Sequence, residues 1–246
     1  MNLGQLFQLE AKKYSLFYFV ILFIGMILIN LFIVFLQIMG DINHFTIYKV
    51  FDALSLLAII VNPLLIASIY NIGIQQEAKH NMWKIIYTSG LSVQTVNQVK
   101  FWYLQGVLWL FTSLMYLIIF GILMVYSVPF SLSAIEIAYY YLGTVAVNFA
   151  LSGVHYYLAL KFENPLANMA GAIFGSLIGI AVMLISELMT YVIPYAWYIL
   201  LMRLDAERVG ETFQYHLRNF TFYPILAGFL LGILGVYFGQ KTKVGE

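Results

Sequence analysis

The side chains of this 246-residue chain that could hold a metal or move a proton are four histidines, at positions 44, 80, 155 and 216, and eleven carboxylates. Metal-assisted hydrolysis needs three ligands that converge, and intramembrane proteolysis or lipid processing needs paired acids, a metal triad or a serine with its base. The histidines are dispersed, no H-E-x-x-H run occurs and no two glutamates are adjacent. His155 and Glu163 stand eight residues apart, two turns on one helix face, without a third ligand beside them. No cysteine means no disulfide, no thiolate metal site and no cysteine nucleophile. Nucleotide chemistry is not provided for either. Gly239-Gln-Lys-Thr242 imitates only the end of a G-x-x-x-x-G-K-[ST] loop, with Gln240 between the glycine and the lysine. The residues therefore give no catalytic set, no metal ligands and no cofactor bound by this chain.

These side chains are set in an apolar medium. Hydrophobic residues make up 63% and charged residues 9% of the chain, against roughly 45–50% and about 25% in soluble domains, which marks an integral membrane protein. A net charge of +1 excludes a strongly basic nucleic-acid binder. A bilayer core of about 30 Å takes roughly 20 apolar residues per helical span, and six stretches meet that length: 16–39, 50–74, 101–126, 135–160, 167–189 and 220–239. The first is longer than a signal-peptide core of about 7–15 residues and lacks a small-x-small cleavage site, so it reads as an anchor. Val192–Leu204 is apolar but short and contains Pro194, so it reads as re-entrant or interfacial. The fold class expected for 1–246 is one all-α polytopic transmembrane domain.

Six spans put both termini on one side. With that side cytoplasmic, Lys12, Lys13, Lys79, Lys84, Lys100, Lys161, Lys241 and Lys243 lie inside, eight of the twelve cations, as the positive-inside rule requires. The expected location is the plasma membrane, with both termini cytoplasmic. Asp52, Glu136 and Glu187 then fall near the outer ends of spans, where a boundary role suits them better than a substrate role. Asn30, Asn62, Gln105 and Asn148 fit interhelical hydrogen bonding, and His155 a packed or hydrogen-bonded histidine. Gly171, Gly175 and Gly179 recur every four residues on the fifth span, as do Gly228 with Gly232 and Gly235 with Gly239 on the sixth. This is the spacing of close helix packing, within the chain or at a subunit contact.

Two segments are amphipathic. In the first fourteen residues Leu3, Leu6, Phe7, Ala11 and Tyr14 share one face, with Gln5, Glu10, Lys12 and Lys13 off it, as in a helix lying in the inner interface. The long polar stretch Gln75–Lys100 sets Ala78, Met82 and Ile86 in line beside Trp83 and Tyr87, with Lys79, His80 and Lys84 among them. The outer segment 190–219 mixes polar and aromatic residues and is long enough for a small helical cap.

The run Glu77-Ala-Lys-His-Asn-Met-Trp-Lys-Ile-Ile-Tyr-Thr-Ser-Gly-Leu-Ser, followed by Lys100 and a new span, resembles the first cytoplasmic loop of ABC-2-type transporter permeases. Within them it is most similar to the short permease subunits of lantibiotic-protection and related peptide exporters. Glu77, Asn81, Trp83, Lys84, Thr88 and Lys100 match that loop, and Gly90 stands where the family usually has proline. The resemblance implies a coupling helix that docks in a groove of a separate ABC ATPase subunit, which binds ATP and magnesium. Met82, Trp83 and Tyr87 would be its anchors, and Glu77, Lys79 and Lys84 its polar rim. It also implies a second permease chain, as homodimer or heterodimer, a dimer interface that includes the fifth span, and an amphipathic peptide cargo, as in bacteriocin immunity. Two alternatives remain at this stage: a non-transporting scaffold or sensor that anchors a cytoplasmic partner, and, more remotely, an intramembrane enzyme.

Overall fold

The computed structural model describes residues 3–14, 16–40, 46–78, 92–129, 131–162, 164–209 and 212–242. In chain order the elements are α1 (Leu3–Lys13), α2 (Leu16–Gly40), α3 (Thr46–Ala78), α4 (Val93–Val125), α5 (Ala134–Lys161), α6 (Pro165–Ile185), α7 (Glu187–Val192), 3-10 turns at Pro194–Ala196 and Ile199–Leu201, β1 (Leu204–Val209), β2 (Thr212–Leu217) and α8 (Tyr223–Gly239). The chain is mostly helical, and among the described residues five helices, α2 to α6, are long and apolar enough to cross a membrane. α8 is apolar but has only 17 residues.

Local signals set the helix ends. Ser133 caps α5 in a reciprocal box, accepting from the Glu136 N–H while its own N–H donates to the Glu136 carboxylate. Asn164 caps α6 ahead of Pro165, whose missing N–H costs nothing in a first turn. Ser92 caps α4, which starts eight residues before the apolar stretch expected from 101. At Ser186 the backbone is extended, so the stretch expected to span 167–189 divides into α6 and α7. α3 carries Pro63 in its interior and runs on through it, as apolar helices packed among neighbours tolerate.

α5 is the hub. It packs along α3 on one side and along α8 on the other, and its apolar stretch is the most deeply buried of the five. The α5–α8 seam uses the glycines of the last helix. A β-carbon built on Gly228 would lie 2.6 Å from the Ala146 carbonyl oxygen, and one on Gly235 would lie 2.7 Å from the Gly153 carbonyl carbon. Only backbones stripped of side chains approach this closely.

Two expectations are corrected. The segment 190–219 is not a helical cap: β1 and β2 form an antiparallel hairpin, with Leu204 opposite Leu217 and Val209 opposite Thr212. α1 is helical as expected, but its buried line is Leu6, Glu10 and Tyr14, while Phe7 and Ala11 are exposed. Glu10 turns inward because a buried cation waits for it on α4.

The α5–α8 contact is open to test. Gly235→Val should lower stability by about 1–3 kcal/mol through overpacking, read by thermal unfolding in detergent. Gly25→Val on α2, where an added β-carbon meets nothing within 4 Å, should leave the midpoint unchanged. Equal midpoints for the two variants would rule out the close approach.

Candidate functional site

Three groups of polar side chains lie along the bundle. At the end where α3 finishes and α4 begins, Lys100 is fully buried. Its Nζ lies 3.3 Å from Glu10 Oε2, 3.2 Å from the Tyr14 hydroxyl and 3.4 Å from the Gly73 carbonyl. Tyr14 donates to Glu10 at 2.6 Å, and Lys13 reaches the other carboxylate oxygen at 2.7 Å. One ammonium thus ties α1, α3 and α4 together. Burial alone would push the Glu10 pKa up; Lys100 and Lys13 outweigh it and hold the carboxyl below its usual range. Beside this cluster Asn97 donates to the Gly239 and Thr242 carbonyls, at 3.3 and 2.9 Å, and fastens the end of α8 to α4.

The cluster joins α3 and α4, the two helices that flank the run Glu77–Tyr87 in sequence. The backbone of Glu77 belongs to the last turn of α3. Its side chain, and all of Lys79, Met82, Trp83, Lys84 and Tyr87, lie outside the described residues, as do His44, His80 and Glu163. α5 ends at Lys161 and Phe162 is extended, and the pairing of His155 with Glu163 considered from the sequence falls on a residue outside the described ones.

The middle group is neutral. Asn62 donates to Asn148 Oδ1 at 3.0 Å, the Tyr198 hydroxyl donates to the same oxygen at 2.5 Å, and Asn148 Nδ2 donates to Thr112 at 3.3 Å. One turn pair further along, His155 Nδ1 lies 2.8 Å from Asn168 Oδ1, and Asn168 donates to Asn71 at 3.0 Å. With Nδ1 as donor, His155 Nε2 is left to accept from the Tyr195 hydroxyl at 3.2 Å. Asn62, Asn148 and His155 thus hold the interhelical and packed roles expected of them. Gln105 does too, accepting from Tyr70 at 3.2 Å. Asn30 instead donates within its own helix, to Met26.

The third group closes the hairpin end. Asp52 is only 4% exposed and accepts from the backbone N–H groups of Arg203 and Leu204, at 3.0 and 2.7 Å, and from the Tyr140 hydroxyl at 2.8 Å. The Arg203 guanidinium lies 3.6 Å from Glu136 and over the Phe220 ring, and its Nε donates to the Arg218 carbonyl at 2.7 Å. Asp52 and Glu136 are thus buried anchors of the segment entering β1, not boundary groups in headgroup water. Glu187 is exposed on α7. On the hairpin Arg218 and Asp205 pair at 3.0 Å, a contact that lowers the Asp205 pKa and raises that of Arg218.

The fifth-span glycines receive a side chain. A β-carbon on Gly175 would fall on the Tyr195 ring, one on Gly179 would lie 3.1 Å from the Tyr195 carbonyl carbon, and one on Gly171 would lie 3.2 Å from Leu158. Gly143 likewise leaves room for Leu201. Gly175 and Gly179 are therefore covered within the chain, by the ring and the backbone of Tyr195.

Glu10 has a pH signature. Its folded pKa is depressed, so its stabilising contribution is complete above the ordinary value of 4.5 and is lost as pH falls below it. Glu10→Gln leaves Lys100 buried without its full counter-charge and should cost about 3–5 kcal/mol at pH 7. In thermal unfolding from pH 7 to pH 4, the gap between wild type and variant should narrow. A gap that stays constant would show that Glu10 is not held ionised by the cluster.

No family model, no curated protein and no solved structure matches the chain.

Proposed function

We propose that the chain is the permease subunit of an ATP-driven exporter that moves an amphipathic peptide, lantibiotic-like or similar, out of the cytoplasm or the membrane. It would work with a second permease chain, identical or similar, above two ATPase subunits that bind ATP and magnesium. The observation that carries the reading is the ABC-2-like run Glu77–Tyr87 followed by Lys100. That run connects α3 to α4, and Lys100 behind it is bonded to α1 and to the last turns of α3. A push on the run would reach three helices at once.

On this reading α2 to α6 and α8 are the six spans. α8, at 17 residues, covers about 26 Å, close to the apolar thickness of about 30 Å. The Lys100 end faces the cytoplasm, in keeping with the excess of lysine there, and the hairpin faces outward. Val192–Leu204 is then the re-entrant segment, and its Tyr198 hydroxyl reaches Asn148 within the bundle.

Topology is directly testable because the chain has no cysteine. Single cysteines at Asn43, Ser131 and Glu207 should react with an impermeant thiol reagent outside intact cells, and cysteines at Gln76 and Thr242 should not. Labelling of the Thr242 cysteine from outside would overturn the six-span arrangement.

Coupling and transport are tested together. Trp83→Ala removes a large aromatic anchor and should weaken the ATPase complex by about 2 kcal/mol, with co-purification and stimulated hydrolysis falling together while insertion is unchanged. Co-expression with the ATPase should lower peptide retention by the membrane, and a hydrolysis-dead ATPase should abolish the effect. Protection that persists without hydrolysis would replace the exporter with a scaffold.

A further inference from the structure

Beneath the hairpin, bordering the third polar group through Leu204 and Arg218, lies a groove of about 310 Å³. Met183 of α6 and Ile199 and Met202 of the segment before β1 give it an apolar lining; Glu187 and Thr190 of α7 and Arg218 after β2 give it polar groups. Glu187 and Arg218 are both exposed, and they present one negative and one positive charge to the same small space. Arg218 spends one terminal nitrogen on Asp205, and a guanidinium has five N–H donors in all. Next to the groove, Leu184, Ile185, Leu188 and Val192 are each at least 70% exposed, the most open run of large apolar side chains on α6 and α7.

We propose that this groove binds the headgroup of a zwitterionic phospholipid bearing a primary ammonium, of the phosphatidylethanolamine type. The phosphate would sit on Arg218 and the ammonium on Glu187, with the glycerol over Met183, Ile199 and Met202. The acyl chains would pass along Leu184, Ile185 and Leu188. Charge complementarity selects this occupant. An anionic phospholipid would bring its phosphate to Arg218 but leave Glu187 facing net negative charge. A choline headgroup has no N–H to donate to the Glu187 carboxylate. A soluble solute would leave the apolar flank uncovered, and a cationic peptide would meet Arg218. The volume suits a headgroup, at the small end of ligand sites of roughly 300–1,000 Å³. The inference rests on the chain lying in a membrane and not on ATP-driven transport. With the hairpin facing outward, the lipid belongs to the outer leaflet.

The test uses the full chain in detergent without an ATPase, so its result is independent of transport. Phosphatidylethanolamine, phosphatidylcholine and phosphatidylglycerol with identical acyl chains are titrated in and bound lipid is counted by native mass spectrometry. The ethanolamine lipid should bind at least fivefold more tightly than the other two. Glu187→Gln should bring its advantage over phosphatidylglycerol to within twofold, with an unchanged unfolding midpoint. Arg218→Gln should weaken all three lipids, and Met183→Trp, which fills the groove without changing charge, should do the same. Equal binding of the three lipids, or a preference that survives Glu187→Gln, would overturn the proposal. Cross-linking between Met183→Cys residues of two chains would assign the groove to a second copy instead. Tighter binding of a cationic amphipathic peptide than of the ethanolamine lipid would also overturn it.

Discussion

A polar group that enters the apolar part of this bundle leaves water behind and costs several kcal/mol unless the chain itself supplies a partner. The three polar groups are three answers to that demand. Lys100 is fully buried only because Glu10, Tyr14 and the Gly73 carbonyl surround its ammonium. Asp52 is buried because two backbone N–H groups and a tyrosine hydroxyl converge on its carboxylate. Between them, where a charge would be dearest, the chain uses amides, hydroxyls and one histidine whose two ring nitrogens both have partners. Each answer joins residues far apart in sequence, so satisfying the polar groups and fixing the fold are the same event.

The segment 194–201 shows how the constraint shapes backbone as well as side chains. Irregular backbone is tolerated at depth only where protein encloses it. Here Tyr195 lies over Gly175 and Gly179, Leu201 lies against Gly143, and the Tyr139 hydroxyl donates to the Leu200 carbonyl at 2.9 Å. The Trp197 indole donates to the Tyr191 carbonyl at 2.9 Å. Where the segment leaves the bundle, Met202 N–H still bonds to the Ile199 carbonyl, and Asp52 takes the backbone N–H groups of Arg203 and Leu204. Glycines spaced for helix packing therefore serve a different purpose on α6, a socket for an aromatic ring. On α8 the same spacing does bring two helices together.

Apolar length made the long helices legible, because a run of about 20 apolar residues has few other uses. Glycine on α8 was legible for the same kind of reason. Glu10 was not, because helical periodicity sorts residues by polarity and cannot see that Lys100, ninety positions away, makes the interior the better place for a carboxylate. The hairpin was missed because Leu204–Val209 mixes charged and apolar residues without a clean alternation, and nothing local marked Arg203 before it as a buried cation. Its partners are Glu136, at the guanidinium, and Asp52, at the backbone N–H, and no spacing rule links positions 151 residues apart. The run Glu77–Tyr87, read as amphipathic from its spacing and then by its resemblance to a known loop, lies outside the described residues but for the backbone of Glu77 and Ala78.

The placement of charge also bears on where a cargo would travel. Along the interior of the bundle, from Thr144 to His155 on α5, the described side chains that meet are uncharged, and Tyr195 and Tyr198 fill the space between α3, α5 and α6. A peptide with charged groups would find no counter-charge there and would have to break hydrogen bonds that have no water to replace them. The outer faces are different: α2 exposes Phe17, Ile21, Leu28 and Phe32, and α6 exposes Phe174, Leu177 and Leu184. On the transport reading, an amphipathic cargo would therefore pass along a face shared with lipid or with a second chain. It could keep its apolar side in contact with those residues and its polar side toward water throughout, and the sealed interior would serve as the rigid body against which such a face moves.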